Sequence, residues 1–201
     1  SNGTLIKRQV MNISGVSIGL GKRLKWPDDY FMEYLSLSYQ YYNFDEYFKT
    51  FSFTSGNANN INFGVALSRS SSYDPIFPKS GSEISASVTL TPPYSFFNNK
   101  DYSTISEQEK FKWLEYHKWK FNATIYTKLF GDLILMSRTK FGFLGMWNKE
   151  VGLSPFERFY LGGDGLSGFA LDGREIIGMR GYANSVLTPR DGSNESIGGT
   201  I

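Results

Sequence analysis

The segment EYLSLSYQYY, residues 33–42, alternates apolar and polar side chains at every second position. In an extended chain its leucines and Tyr39 share one face, and its serines and Gln40 share the other. A helix would need apolar residues three or four positions apart, and the segment lacks that spacing. The alternation therefore predicts a β-strand with one apolar face and one polar face.

Five further segments repeat this alternation, and together they predict an all-β fold of about six antiparallel, up-and-down strands. The predicted strands lie near 13–22, 31–43, 60–70, 82–92, 118–129 and 133–145. In the last of them Arg138 and Lys140 share the polar face. Only TISEQEKFKWLEYHKW, residues 104–119, predicts a short surface helix.

The connections between the predicted strands alternate in length. They are short at 23–30, 70–81 and 130–132, and long at 43–60 and 92–117. An outer-membrane barrel alternates short periplasmic turns with long outer loops in this way. The strands also reach the roughly 9–11 residues that a tilted membrane strand needs, whereas soluble strands average about 5–6. The pattern favours part of a transmembrane β-barrel.

The two faces of the strands differ as the two sides of a barrel wall would. Their polar faces suit a water-filled lumen, and aromatic residues near the ends of the apolar faces suit a membrane interface. These aromatic residues are Tyr39, Tyr41, Trp119 and Phe121. Two alternatives stay open at this point: a passive porin or transporter wall, and a soluble, aromatic-rich β binding module.

Composition excludes several kinds of site. The chain has no cysteine and a single histidine, His117, which excludes thiolate sites and His clusters for metals. A formal net charge of +2 gives no reason to expect a nucleic-acid partner. We therefore expect no catalytic residues, no bound metal and no cofactor, and hence a protein that is not an enzyme. No apolar run is long enough for a transmembrane helix.

Three stretches occur in an order that is more specific than any of them alone: YDPIFPKSGSEISASV at 73–88, SPFERFYLGGDGLSGF at 154–169 and MRGYA at 179–183. They resemble the turn-plus-strand signature, the Phe-rich Gly-Gly start of extracellular loop six and the Arg-Gly-aromatic loop tip of the BamA-like surface-antigen family. The residues that carry the resemblance are Asp74, Phe77, Pro78 and Gly81 in the turn, Phe156, Phe159, Tyr160, Gly162 and Gly163 at the loop start, and Arg180, Gly181 and Tyr182 at the tip.

The resemblance implies a fragment that corresponds to strands seven to twelve of a sixteen-strand barrel. Residues 1–147 would form part of the wall, and 148–201 would form loop six and the start of the next strand. Members of the family fold and insert β-barrel proteins in the bacterial outer membrane without a nucleotide or metal. The implied partners are outer-membrane lipid, client β-barrel proteins and accessory assembly subunits of the full-length parent.

In the family, the arginine of the loop tip points into the lumen. By resemblance, Arg180 would pair with a carboxylate of the wall, Gly181 would let the backbone approach the wall and Tyr182 would pack flat against it. Glu83, on the predicted lumen face, is a weak candidate for the carboxylate. About six strands cannot close a barrel of normal size, so we also expect edge-to-edge self-association or a larger assembly.

Overall fold

A computed structural model describes residues 10–45, 55–72, 74, 76–98, 100–163, 175–179 and 181–190. Its main element is one six-stranded sheet whose strands follow chain order. The strands are β1 (Val10–Arg23), β2 (Phe31–Asp45), β3 (Gly56–Ser70), β4 (Gly81–Leu90), β5 (His117–Phe130) and β6 (Leu133–Gly145). A two-stranded parallel pair, β7 (Phe159–Leu161) and β8 (Glu175–Ile177), and one helical turn, α1 (Glu107–Lys110), complete the described elements.

The all-β, antiparallel, up-and-down fold that the sequence predicts is confirmed. Each strand of the sheet pairs antiparallel with the next one along the chain, from β1 to β6. The alternation also places the side chains as predicted, because the leucines of β2 lie on one face and Gln40 and Tyr42 lie on the other. No helix in the described ranges is both long and apolar enough to span a membrane.

The predicted alternation of connection lengths is only partly right. The connections 24–30 and 131–132 are short and 91–116 is long, but 46–55 is no longer than 71–80. The difference arises because β2 continues to Asp45 and β3 begins at Gly56, which shortens the connection between them.

The added lengths of β2 and β3 carry the core of the protein. Tyr42, Phe44 and Ala58 lie at the ends of these strands nearest the long connections, and all three are buried. Side chains of the connection 91–116 and of the segment after β6 pack on them, among them Leu114 and Phe156. The strands extend beyond the predicted ends because their outermost residues pack against these loops.

The long connection after β4 also completes the sheet. β4 ends at Leu90, opposite Phe63, so the outer half of β3 has no partner from β4. There the backbone N–H of Asn59 donates to Lys112 O at 2.8 Å, and the N–H of Leu114 donates to Asn59 O at 2.9 Å. This short parallel bridge satisfies main-chain groups that would otherwise be exposed at the strand edge.

The predicted surface helix shrinks to the single turn α1. Ser106 caps it, since its Oγ accepts a hydrogen bond from the N–H of Glu109 at 3.4 Å. Beyond α1, Phe111 is buried, Lys112 and Trp113 are exposed, and the next three residues, Leu114, Glu115 and Tyr116, are buried. The segment 112–114 is not helical, because there it forms backbone hydrogen bonds with Asn59 of β3 and places Leu114 in the core. These contacts outweigh the helix propensity of the sequence.

Truncation of Leu114 tests this bridge. We expect Leu114→Ala to lower the free energy of unfolding by about 2–5 kcal/mol, because it leaves a cavity between the loop and the ends of β2 and β3. The measurement is denaturant unfolding of the full-length protein in detergent micelles. Lys112→Ala is the matched control: it removes an exposed side chain but keeps the carbonyl that accepts from Asn59. Equal effects of the two substitutions would contradict the packing role of Leu114.

Candidate functional site: a loop packed on the inner face of the sheet

The segment after β6 folds back over the polar face of β5 and β6, which we call the inner face. Gly142 of β6 makes this approach possible: a Cβ there would lie 2.7 Å from the ring of Phe159. Three residues before Phe159, the ring of Phe156 lies 5.0 Å from that of Tyr42 and 5.9 Å from that of Phe44, measured between centroids. The loop is therefore docked on the wall by aromatic packing.

Phe156 and Phe159 take part in this docking, and Gly162 and Gly163 lie where the loop start meets the tip segment. Phe156, Phe159 and Tyr160 are buried. Gly162 and Gly163 have φ values of 122° and 107°, which disfavour any side chain. A Cβ on Gly162 would also lie 2.6 Å from the carbonyl oxygen of Ala183. These two glycines let the loop start contact the tip segment.

Backbone hydrogen bonds join the loop start to the tip segment. The N–H of Gly163 donates to Tyr182 O at 3.1 Å, and the N–H of Met179 donates to Gly163 O at 2.9 Å. Nearby, the N–H of Leu161 donates to Thr188 Oγ1 at 2.8 Å. The structure thus brings together two of the three stretches that carry the family resemblance.

Arg180 itself lies outside the described residues, but both of the other tip residues are described. Gly181 has a φ of 88°, and among the described residues beyond its chain neighbours no atom lies within 4 Å of the place where its Cβ would be. Its backbone conformation, and not the predicted close approach to the wall, therefore accounts for glycine there. Tyr182 is 49% exposed. The third stretch, with Glu83, lies elsewhere on the sheet.

The turn motif shapes the connection between β3 and β4 at the opposite end of the sheet. Asp74 Oδ1 accepts hydrogen bonds from the N–H groups of Ile76 and Phe77 at 2.9 and 3.0 Å, and these bonds lower the pKa of Asp74. Gly81 has a φ of 113°, and a Cβ there would lie 2.7 Å from Ser71 O. Phe77 is exposed, and Pro78 follows it. This motif shapes the connection at that end of the sheet, and in the described part of the chain no hydrogen bond joins it to the loop.

Lys118 is the residue that sequence reasoning missed. It lies on the inner face of β5, is 5% exposed, and has its Nζ 2.9 Å from Glu157 Oε2 and 3.1 Å from Glu175 Oε2. The same Nζ lies 4.8 Å from the centroid of the Phe159 ring. One buried ammonium group thus joins the wall to two carboxylates of the loop.

The neighbours of Lys118 extend this network. Lys120 Nζ lies 3.4 Å from Glu175 Oε2, so Glu175 contacts two lysines of β5. Glu157 adopts a positive φ of 64°, which is unusual for a residue with a side chain. Burial, followed by the charge of Glu157, raises the pKa of Tyr116 well above its ordinary value. The carboxylate of Glu157 thus acts on the core as well as on Lys118.

The model of the Omp85 superfamily domain matches residues 7–201. The chain belongs to the Omp85 superfamily. No curated protein matches it. Omp85 proteins are proteins of bacterial or organellar outer membranes, and the superfamily is associated with the insertion and transport of proteins there.

In this Omp85 chain the wall–loop contact could be found only in part from sequence. The polar face of β5 was predicted from Lys120, Asn122 and Thr124. Lys118 lies two residues before Lys120 on that face, but its burial was not predicted. Its partner Glu157 lies 39 residues away along the chain, and no periodicity connects the two. The loop-start motif was the available signal, because Glu157 lies between its two phenylalanines.

A double-mutant cycle tests the coupling of Lys118 to Glu157. Lys118→Met leaves two carboxylates without their buried cation, so we expect it to lower the free energy of unfolding by about 3–5 kcal/mol. Glu157→Gln should lower the free energy of unfolding less in the Lys118→Met protein than in the wild type, because its partner is already absent. Denaturant unfolding of the full-length protein in detergent measures both values.

Lys120→Met is the matched control for this cycle. Its ion pair with Glu175 is longer, and its side chain is 37% exposed. We therefore expect a smaller loss of stability than for Lys118→Met, and little coupling to Glu157→Gln. Strict additivity of Lys118→Met and Glu157→Gln would show that the buried pair does not act as a unit.

Proposed function

We propose that this chain is the middle part of the barrel wall, with loop six, of a BamA-like assembly factor that folds and inserts β-barrel proteins into the bacterial outer membrane. The observation that supports it best is the hydrogen-bonded contact of the Gly-Gly loop start with the Arg-Gly-Tyr segment, between Gly163 and both Met179 and Tyr182. Omp85 membership gives the general class, and this contact joins two motifs that resemble the BamA-like branch.

The apolar outer face of the sheet is the proposed contact with membrane lipid. Large apolar side chains on this face are exposed along the strands, among them Val16, Ile18, Leu20, Leu37, Phe63, Ile125, Leu135 and Phe141. An apolar surface that covers several strands needs lipid or protein against it. Because the opposite face is polar and covered in part by the loop, lipid outside and water inside is the arrangement that satisfies both. This face disfavours the soluble binding module.

We further propose that the docked loop holds the wall in shape and that Arg180 adds a second attachment. Met179 and Tyr182, near Arg180 in the sequence, are hydrogen-bonded to Gly163. Glu83 is a poor partner for Arg180, because it pairs with Ser70 and Thr124 near the turns and lies away from the loop contacts at Lys118. A carboxylate in a later part of the wall is the proposed partner.

A passive porin or transporter wall is the second candidate function. The observation that favours it is the row of cations on the inner face, Lys118, Lys120, Arg138 and Lys140, since porins place charges on the lumen side. In both readings the chain binds and guides other molecules without catalysing a reaction, and neither reading needs a cofactor.

Loop undocking in the full-length protein distinguishes the two candidates. Gly142→Leu drives a side chain into the position of Phe159, so we expect loss of the docked loop and a several-fold fall in outer-membrane β-barrel proteins. The measurements are the level and heat-modifiability of these proteins and protease access to the loop. Gly21→Ala is the control, because a Cβ there has only ordinary contacts with Tyr34.

The result that contradicts the assembly role is a loop that becomes protease-sensitive while β-barrel proteins remain at wild-type levels. If solute uptake changes in the same cells, the porin reading is favoured. Arg180→Ala, measured in the same way, reports whether the tip arginine contributes separately from Gly142.

The two edges of the sheet are the proposed sites of strand pairing. β1 and β6 are the end strands, and among the described residues no strand pairs with their outer edges. We propose that neighbouring strands of the same barrel occupy these edges in the full-length protein, and that the isolated chain pairs edge to edge with another copy. Light scattering of the isolated chain in detergent should show dimers or larger species, and a stable monomer would contradict the proposal.

A further inference from the structure

A cavity of about 420 Å³ lies between the β7–β8 pair and the inner face of β5 and β6. Lys120, Arg138 and Lys140 line its wall side together with the amide of Asn122. Glu175 is the one carboxylate in the described lining. The cavity therefore combines three cations with one anion.

The carboxylate of Glu175 is already engaged. It lies 3.1 Å from Lys118 Nζ and 3.4 Å from Lys120 Nζ. Arg138 and Lys140 make no ion pair with any residue in the described part of the chain. Glu83 is in the same cross-strand row as Arg138, but Thr124 lies between them. Two cations therefore face the cavity without a neutralising partner there.

The strand register brings these cations close together. Lys140 is opposite Asn122, and Lys120 is opposite Gly142, the next inward position of β6. Neighbouring side chains on one face of a sheet are about 5–8 Å apart. Gly142 contributes no side chain to this row, and the ring of Phe159 packs over it and forms one side of the cavity. The heads of Lys120, Lys140 and Arg138 can thus converge on one small group.

The lining specifies the chemical class of the occupant. A guanidinium, two ammonium groups and an amide supply donors, and Glu175, the one carboxylate of the described lining, is already paired with lysines. The ligand must accept hydrogen bonds and carry negative charge, and planar or tetrahedral oxyanions match the arginine fork best. We propose that this cavity binds an oxyanion of the phosphate class from the water on the inner side of the wall.

Free phosphate is the source that fits the position of the cavity. The cations of the cavity lie on the inner face, opposite to the outer face with apolar residues such as Leu135 and Phe141. A lipid phosphate on the outer side would have to cross the sheet to reach them. The site does not depend on the assembly role, because it requires only the docked loop and the charges of β5 and β6.

The test is thermal unfolding of the full-length protein in a phosphate-free, uncharged detergent. Sodium phosphate is titrated against sodium chloride at matched ionic strength and pH, and the loss of β-sheet circular dichroism gives Tm. We expect a saturable rise of several degrees in phosphate alone, because a ligand that binds only the folded state stabilises it. Arg138→Gln combined with Lys140→Gln should abolish this rise.

Four further variants or conditions make the outcome decisive. Arg138→Lys keeps the charge and should retain most of the rise, whereas Lys22→Gln combined with Lys25→Gln, outside the cavity, should retain all of it. The Arg138→Gln and Lys140→Gln protein should be at least as stable as wild type without phosphate, since it no longer holds adjacent like charges. Lipopolysaccharide added to the micelles, without free phosphate, should leave Tm unchanged.

The proposal is overturned if chloride gives the same rise as phosphate, since that is general screening. It is also overturned if the Lys22 and Lys25 variant loses the rise as fully as the Arg138 and Lys140 variant does. A rise with lipopolysaccharide but none with free phosphate would overturn the assignment to a soluble anion. The absence of a saturable rise in Tm in every condition would also overturn the proposal, since another part of the protein would then neutralise the cations.

Discussion

The docking of the loop depends on one buried ammonium group. Lys118 lies on the inner face of β5, is 5% exposed, and has its ammonium group packed against the ring of Phe159. A charge in that position is tolerable only while Glu157 and Glu175 stay beside it. The buried cation of the wall therefore needs the carboxylates of the loop, and these carboxylates in turn hold the loop on the wall. Glu157 has a positive φ, which is an unfavourable backbone conformation, and in this conformation its carboxylate contacts Lys118.

Two kinds of packing divide the sheet along its length. Near the turns the inner face is open, and the outer face exposes large apolar side chains such as Leu20 and Leu135. Near the long connections β2 and β3 extend farther, and Tyr42, Phe44 and Ala58 form a buried core with loop residues such as Phe156. The strands of a barrel wall do not need a buried core on their lumen side. This core therefore stabilises the loops that pack on the wall. It gives them fixed positions above the wall.

The period of two was sufficient to predict six strands, their order and their faces, because each strand is read from its own residues. The ends of β2 and β3 were missed, since the residues beyond the predicted ends pack against loops that lie far away in the sequence. The same limit applies to Lys118, whose burial depends on Glu157 and Glu175. Gly162 and Gly163 were recognised from a motif, but the need for Gly181 was assigned to close approach, and only backbone dihedrals show that its conformation is the reason.

The bridge between Asn59 and the segment 112–114 makes some parts of the connection after β4 more sensitive to sequence changes than others. At 112–114 the loop behaves as a partial strand, and any shift by one residue would turn Leu114 out of the core and leave the edge of β3 open to another chain. Between Asn98 and Ser106, Tyr102 is buried in the same core and Ile105 packs against it, whereas Asp101, Ser103 and Thr104 are exposed. Substitutions at these three exposed positions should therefore be tolerated, while the register of the last residues before β5 stays fixed.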